Sequence, residues 1–125
     1  MNIIVDTRIL LWILNEPDKL SAAAKRVLLE GSPLVFVSAA TIWELAIKEA
    51  AGKMKLSYDI ADIVIKSGFQ NLDITAAHAK LAGKLPKHHH DPFDRMLVAQ
   101  AICEDFHLMT HDATLKKYKA KILFV

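Results

Sequence analysis

The chain has 125 residues, 53% of them hydrophobic and 24% charged, with a formal net charge of +2. That is enough apolar sequence for one well-buried core and too much for a disordered chain, and no apolar run reaches the ~18 residues of a membrane span. The single cysteine, Cys103, excludes an internal disulfide and fits a reducing cytoplasm, while the mild positive charge permits a polyanionic partner without requiring one.

In chain order, Asn2–Asp6 (NIIVD) is a short apolar run that reads as a buried strand. Asp6-Thr7 is a helix start signal, so Ile9–Leu14 (ILLWIL) reads as helix, broken by Glu16-Pro17-Asp18. Ser21 caps a second helix that ends at Gly31. Leu34–Ser38 (LVFVS) is a second buried strand, and Ser38 caps the helix that follows, with Gly52 as its stop. Asp59–Ser67 carries Ile60, Ile63 and Val64 at helical spacing and ends at Gly68. Phe69–Ile74 is a weaker third strand, and Thr75–Leu85 is helical until Pro86. In HHHDPFDR, Asp91 is placed to cap a helix, Pro92 takes its first position, and Asp94 falls third, as in a capping box. That helix runs to about Asp105. Leu108–Thr110 is a strand, Asp112–Tyr118 a short helix and Ile122–Val125 a last strand. There is no internal repeat and no linker, so residues 1–125 are expected to form one domain. Alternating strands and helices predict an α/β fold of three layers, a central, largely parallel sheet flanked by helices. Such sheets bind ligands beyond the carboxyl ends of their strands, where strand order reverses.

Carboxylates gather at that edge. Asp6 ends the first strand, Asp112 follows the fourth, Asp94 opens the helix after the histidines, and Glu44 lies on the first two turns of the helix after the second strand. Singly, each has an ordinary explanation: Asp6 and Asp112 as helix caps, Asp94 as the capping-box residue, Glu44 as half of a surface pair with Lys48. Together they would repel one another unless a cation neutralised them. Oxygen-rich sites of this kind suit Mg²⁺ or Mn²⁺, which can stabilise charge on a phosphate, so the implied chemistry is hydrolysis of a phosphodiester.

The stretches IIVDTRILLW, VSAATIWELAIKEAAGKMKL, LPKHHHDPFDRMLVAQA and LMTHDATLKKY resemble the PIN-domain ribonucleases, specifically the VapC-type toxins of toxin–antitoxin modules. The likeness runs nearly end to end. It implies that Asp6, Glu44, Asp94 and Asp112 hold a catalytic Mg²⁺ or Mn²⁺, that Thr110 stands beside the last acid, and that Asp91 belongs to the motif of the subgroup. It also implies an RNA substrate, a homodimer in the cytoplasm and a cognate antitoxin protein that inserts a segment into the crevice. One departure is Arg8, where relatives of the subgroup carry histidine after the opening Asp-Thr. Arg8 is expected to contact a substrate phosphate and to balance charge when metal is absent.

His88, His89 and His90 are adjacent, and three neighbours do not easily turn towards one ion. They are expected to form a loop near RNA phosphates rather than a metal site. Trp12 and Trp43 lie in apolar helical runs and read as core or interface. Rival functions of the same fold class fit less well. A receiver domain wants adjacent acids after the first strand, and Thr7 stands there. A phosphatase with an Asp nucleophile wants a second Asp at the position of Arg8. The remaining alternative is a non-toxic or inactive PIN fold kept for binding RNA or a partner.

Overall fold

The computed structural model describes residues 1–125. Five strands form one sheet in the order β3-β2-β1-β4-β5, and every neighbouring pair is parallel. They are β1 (Asn2–Val5), β2 (Leu34–Ser38), β3 (Gln70–Leu72), β4 (His107–Thr110) and β5 (Lys121–Phe124). The helices are α1 (Thr7–Asn15), α2 (Ala22–Glu30), α3 (Ala39–Ala50), α4 (Ile60–Lys66), α5 (Ala76–Lys84) and α6 (Pro92–Glu104). The predicted α/β class and parallel sheet are what is found.

Strand alternation sends successive side chains to opposite faces. Ile3, Val5, Val35, Val37 and Met109 enter one core with Ile9, Leu10, Leu45 and Val64 from the helices. Ile4 and Leu108 enter the other, with Leu97 and Val98 of α6 and with Leu115 and Tyr118. The central strand is therefore covered on both sides, and Ile3, Ile4 and Val5 are completely buried. No helix is long and apolar enough to cross a membrane.

Caps account for most boundaries. Asp6, Ser21, Ser38, Asp59, Thr75 and Asp91 each accept a backbone N–H at the start of the helix that follows. Gly52 and Gly68 close α3 and α4 at φ +73° and +81°, a region that disfavours any residue with a Cβ. Differences from expectation are confined to short elements. The break at Pro17 is a 3₁₀ turn, Pro17–Lys19, and the helix expected over Asp112–Tyr118 is a 3₁₀ turn, Ala113–Lys117. The weak third strand is only Gln70–Leu72, because pairing with β2 stops at Leu72, beside Ser38.

Connectivity fixes the position of the site. From β1 the chain moves outward through β2 and β3, then returns to β4 on the other side of β1. The order reverses between β1 and β4, so a crevice opens above their carboxyl ends.

Candidate active site

A crevice of about 540 Å³ lies there, and Asp6, Arg8, Glu44, Asp91, Asp94 and Asp112 all line it. The four acids singled out in the sequence come from four places: the residue between β1 and α1, the middle of α3, the first turn of α6 and the segment after β4.

Asp6 is 6% exposed and does two jobs. Its Oδ1 accepts from the Ile9 backbone at 2.8 Å, capping α1, and its Oδ2 accepts from the Thr110 hydroxyl at 2.5 Å. The same Thr110 oxygen accepts the backbone N–H of Asp112 at 3.0 Å, so one hydroxyl ties together the two acids that follow β1 and β4. Glu44 is 8% exposed. Its Oε1 accepts from Thr7 at 2.6 Å, and its Oε2 pairs with Lys48 at 2.8 Å. The expected Glu44–Lys48 pair therefore exists, on a carboxylate that faces the crevice rather than solvent.

The capping box expected at α6 does not form. Asp91 accepts from the Phe93 and Asp94 backbones at 2.8 and 3.4 Å, but its own N–H goes to His89 Nδ1 at 3.0 Å. Because the ring of His89 takes that donor, the Asp94 carboxylate is released to face the crevice. A reciprocal capping box does occur at α5, between Thr75 and His78.

Proximity shows in proton affinity. Burial, reinforced by the negative charges of Asp91, Asp6 and Glu44 and opposed by His89, pushes the Asp94 carboxyl from 3.8 up to about 7. Burial also raises Asp6, against the hydrogen bonds from Thr110 and Ile9 and the charge of Arg8, while Asp112 adds to the rise. Asp112 moves the other way. Some burial acts to raise it, but hydrogen bonds from the Thr114 backbone and from His89 bring it below its ordinary value. Four carboxylates that feel one another across a partly dry cleft form a donor set of hard oxygens, which fits a divalent cation such as Mg²⁺ or Mn²⁺.

The histidines divide. His88 and His90 are exposed. His89 is not a loose phosphate contact: its Nε2 is 2.8 Å from Asp112 Oδ2 and 3.4 Å from Asp94 Oδ2. In sequence the three look equivalent, and the signal that separates His89 is its two-residue offset from the cap Asp91, which lets its ring reach that N–H. Trp12 packs partly buried against the core, within the core-or-interface expectation, and has a second face. It lines the crevice and packs against His111 at 5.3 Å between ring centres. Trp43 is 61% exposed on α3, edge-on to Phe93.

The PIN domain family model matches residues 3–121. No curated protein matches the chain by sequence. Among solved structures, VapBC2 from Rickettsia felis, bound to a DNA fragment from its promoter, is similar with a TM-score of 0.73 at 20% identity, over 99% of this chain and 98% of that one. VapBC-1 from nontypeable Haemophilus influenzae gives a TM-score of 0.70 at 22% identity, over 99% and 98%. A toxin–antitoxin complex from Klebsiella pneumoniae gives 0.65 at 18% identity, over 96% and 94%. At these identities the likeness is one of fold.

Proposed function

The chain belongs to the PIN domain family, and from that premise we propose that it is a metal-dependent endoribonuclease, the toxin of a type II toxin–antitoxin pair. The observation that carries this reading is the convergence of Asp6, Glu44, Asp94 and Asp112 on one crevice at the switch point of the sheet, with the Asp94 carboxyl raised to about 7. Such an arrangement is unfavourable for the protein alone and becomes favourable when positive charge enters it.

In this reading the four acids hold Mg²⁺ or Mn²⁺. The cation supplies charge stabilisation at the phosphate and a more acidic water. The rest is the work of the chain's own residues. Thr7 and Thr110 hold Glu44 and Asp6 by hydroxyl donors at 2.6 and 2.5 Å, which fixes the direction of their free lone pairs. Asp91 starts α6 and thereby aims Asp94. Arg8, exposed at the rim, meets a substrate phosphate with a planar pair of donors. Protons compete with the cation for Asp94, so the affinity for metal rises with pH up to about 7.

The partners follow from the same reading: RNA as substrate, a second copy of the chain in a homodimer, and an antitoxin in the cytoplasm. Solved toxin–antitoxin complexes of similar fold support the antitoxin. Cleavage of a mixed RNA substrate with Mg²⁺, with Mn²⁺ and with chelator tests the central point. Cleavage is expected only with metal. Asp6→Asn and Asp94→Asn should each lower it by at least ~10²-fold, since changes one layer further out already cost 10–100-fold. RNA that is bound but left uncut under every metal condition would instead identify a binding protein.

A further inference from the structure

The sequence places His89 only in a loop near RNA phosphates, and the cation reading does not require it. Yet both its backbone and its ring are held in place. Its backbone N–H donates to the Tyr118 hydroxyl at 3.0 Å, and that hydroxyl donates onward to the Pro86 carbonyl at 2.8 Å. Its carbonyl accepts from Arg95 Nη1 at 3.4 Å. The same guanidinium binds the carbonyls of Pro86, Ala82 and Leu85 at 3.1, 2.8 and 3.0 Å, locking the end of α5 to the histidine loop. The ring itself is bonded at both nitrogens.

Its Nε2 lies with oxygens of Asp94 and Asp112 inside a sphere of contact, all within 4.8 Å, that would suit an ion. Proximity alone would make His89 a ligand. The other nitrogen argues against it. A ligating histidine presents a lone pair to the metal and donates a hydrogen bond from its second nitrogen. Here Nδ1 accepts the Asp91 backbone N–H at 3.0 Å, so Nδ1 holds the lone pair and the ring proton sits on Nε2. A protonated nitrogen donates to Asp112 and binds no cation.

We infer that His89 is a positioning residue: its Nε2–H, set by the Asp91 amide and the Arg95–Tyr118 latch, holds the Asp112 carboxylate beside Asp94 without ligating the cation. Asp112 then takes Thr114 on Oδ1 at 2.9 Å and His89 on Oδ2 at 2.8 Å. Each oxygen keeps a lone pair for the crevice. The coordinating set stays all-oxygen, which favours a hard cation over zinc. This rests on the cation reading above for its purpose, but not for its geometry.

Long-range ¹H–¹⁵N correlation of the imidazole rings in the intact protein tests the assignment, with and without Mg²⁺. The expected pattern for His89 is a protonated Nε2 and a bare Nδ1 in both states. A bare Nε2 with a protonated Nδ1 in the Mg²⁺ sample would overturn the inference by making His89 a ligand. Calorimetry with Mg²⁺ gives the second arm. His89→Ala should weaken binding by about 10-fold or more. His89→Gln, whose amide N–H₂ can reach the place of Nε2–H, should recover most of it. Equal losses in both variants, or no loss in His89→Ala, would overturn the positioning role. Absence of Mg²⁺ binding by the unsubstituted chain would strike the cation reading, and the ring pattern without Mg²⁺ would still decide between donor and ligand geometry.

Discussion

The Asp94 carboxyl makes the cost of the crevice measurable. It binds a proton more tightly in the folded chain, at about 7, than its ordinary 3.8 allows after unfolding, chiefly because it is buried and then because Asp91 and Asp6 face it. A group of this kind contributes stability that is fully present below about pH 4 and is lost as pH rises through about 7. Melting curves of the metal-free protein should therefore show the unsubstituted chain losing ground to Asp94→Asn as pH is raised from 5 to 7.5. A constant gap across that range would mean that Asp94 is not strained as described. Arg8 is the second residue whose role can be read out directly. It is exposed at the rim, and its charge helps to lower Asp6. If it meets a phosphate, Arg8→Ala should reduce the slope of log affinity for single-stranded RNA against log salt by about 0.7. Metal affinity should be unchanged or improved, because a competing positive charge has gone. An unchanged salt slope would remove Arg8 from the substrate path.

Elements were legible where a cap and a periodic run agreed. Asp6, Ser21, Ser38, Asp59 and Asp91 all cap as their residue types suggest, because a short side-chain acceptor next to an apolar repeat has few other uses. The four acids were legible for a related reason: strand ends and helix starts in a parallel sheet share one edge, so position along the chain implies position in space. What was not legible depends on contacts between distant segments. The Asp91 N–H had two possible takers, Asp94 in a capping box or a histidine ring, and only the latch from Arg95 and Tyr118 puts His89 close enough to win it. Trp12 has apolar neighbours in sequence and does pack against the core, but the reversal of strand order also leaves part of its ring facing the crevice. The glycines give a test at this scale. Gly83 lies within α5 with nothing within 4 Å of an added Cβ, so Gly83→Ala should stabilise the protein by roughly 0.5–1 kcal/mol through helix propensity. Gly52 also has open space, but its φ of +73° penalises any Cβ, so Gly52→Ala should destabilise by about 1–2 kcal/mol. Denaturant midpoints that move in the same direction for both would contradict the helix end at Gly52.

At the scale of the whole molecule, the crevice joins parts of the chain that are far apart in sequence. Asp6 and Asp112 follow neighbouring strands, Asp94 belongs to a helix packed on one face of the sheet, and Glu44 to α3, whose Leu45 and Ala40 reach the two different cores. Like charges contributed by separate elements push those elements apart, so the fold carries a repulsion that no single element relieves. A cation that binds the folded crevice and not the unfolded chain reverses this by mass action. At a free concentration 100 times its dissociation constant it adds about 2.7 kcal/mol, which for a domain of this size is roughly 10 °C in melting temperature. The unsubstituted chain should therefore melt markedly higher in millimolar Mg²⁺ or Mn²⁺ than in chelator. Asp94→Asn should lose most of that gain while melting no lower than the unsubstituted chain when both are metal-free at pH 7.5, since the substitution removes a repelling charge as well as a ligand. Thermal scans of both proteins, with and without metal, separate the two effects. A melting temperature indifferent to metal in the unsubstituted chain would mean that the four acids do not act as one site, and the repulsion would then need another counter-charge, for which Lys48, paired with Glu44, and Arg8, whose charge lowers Asp6, are candidates.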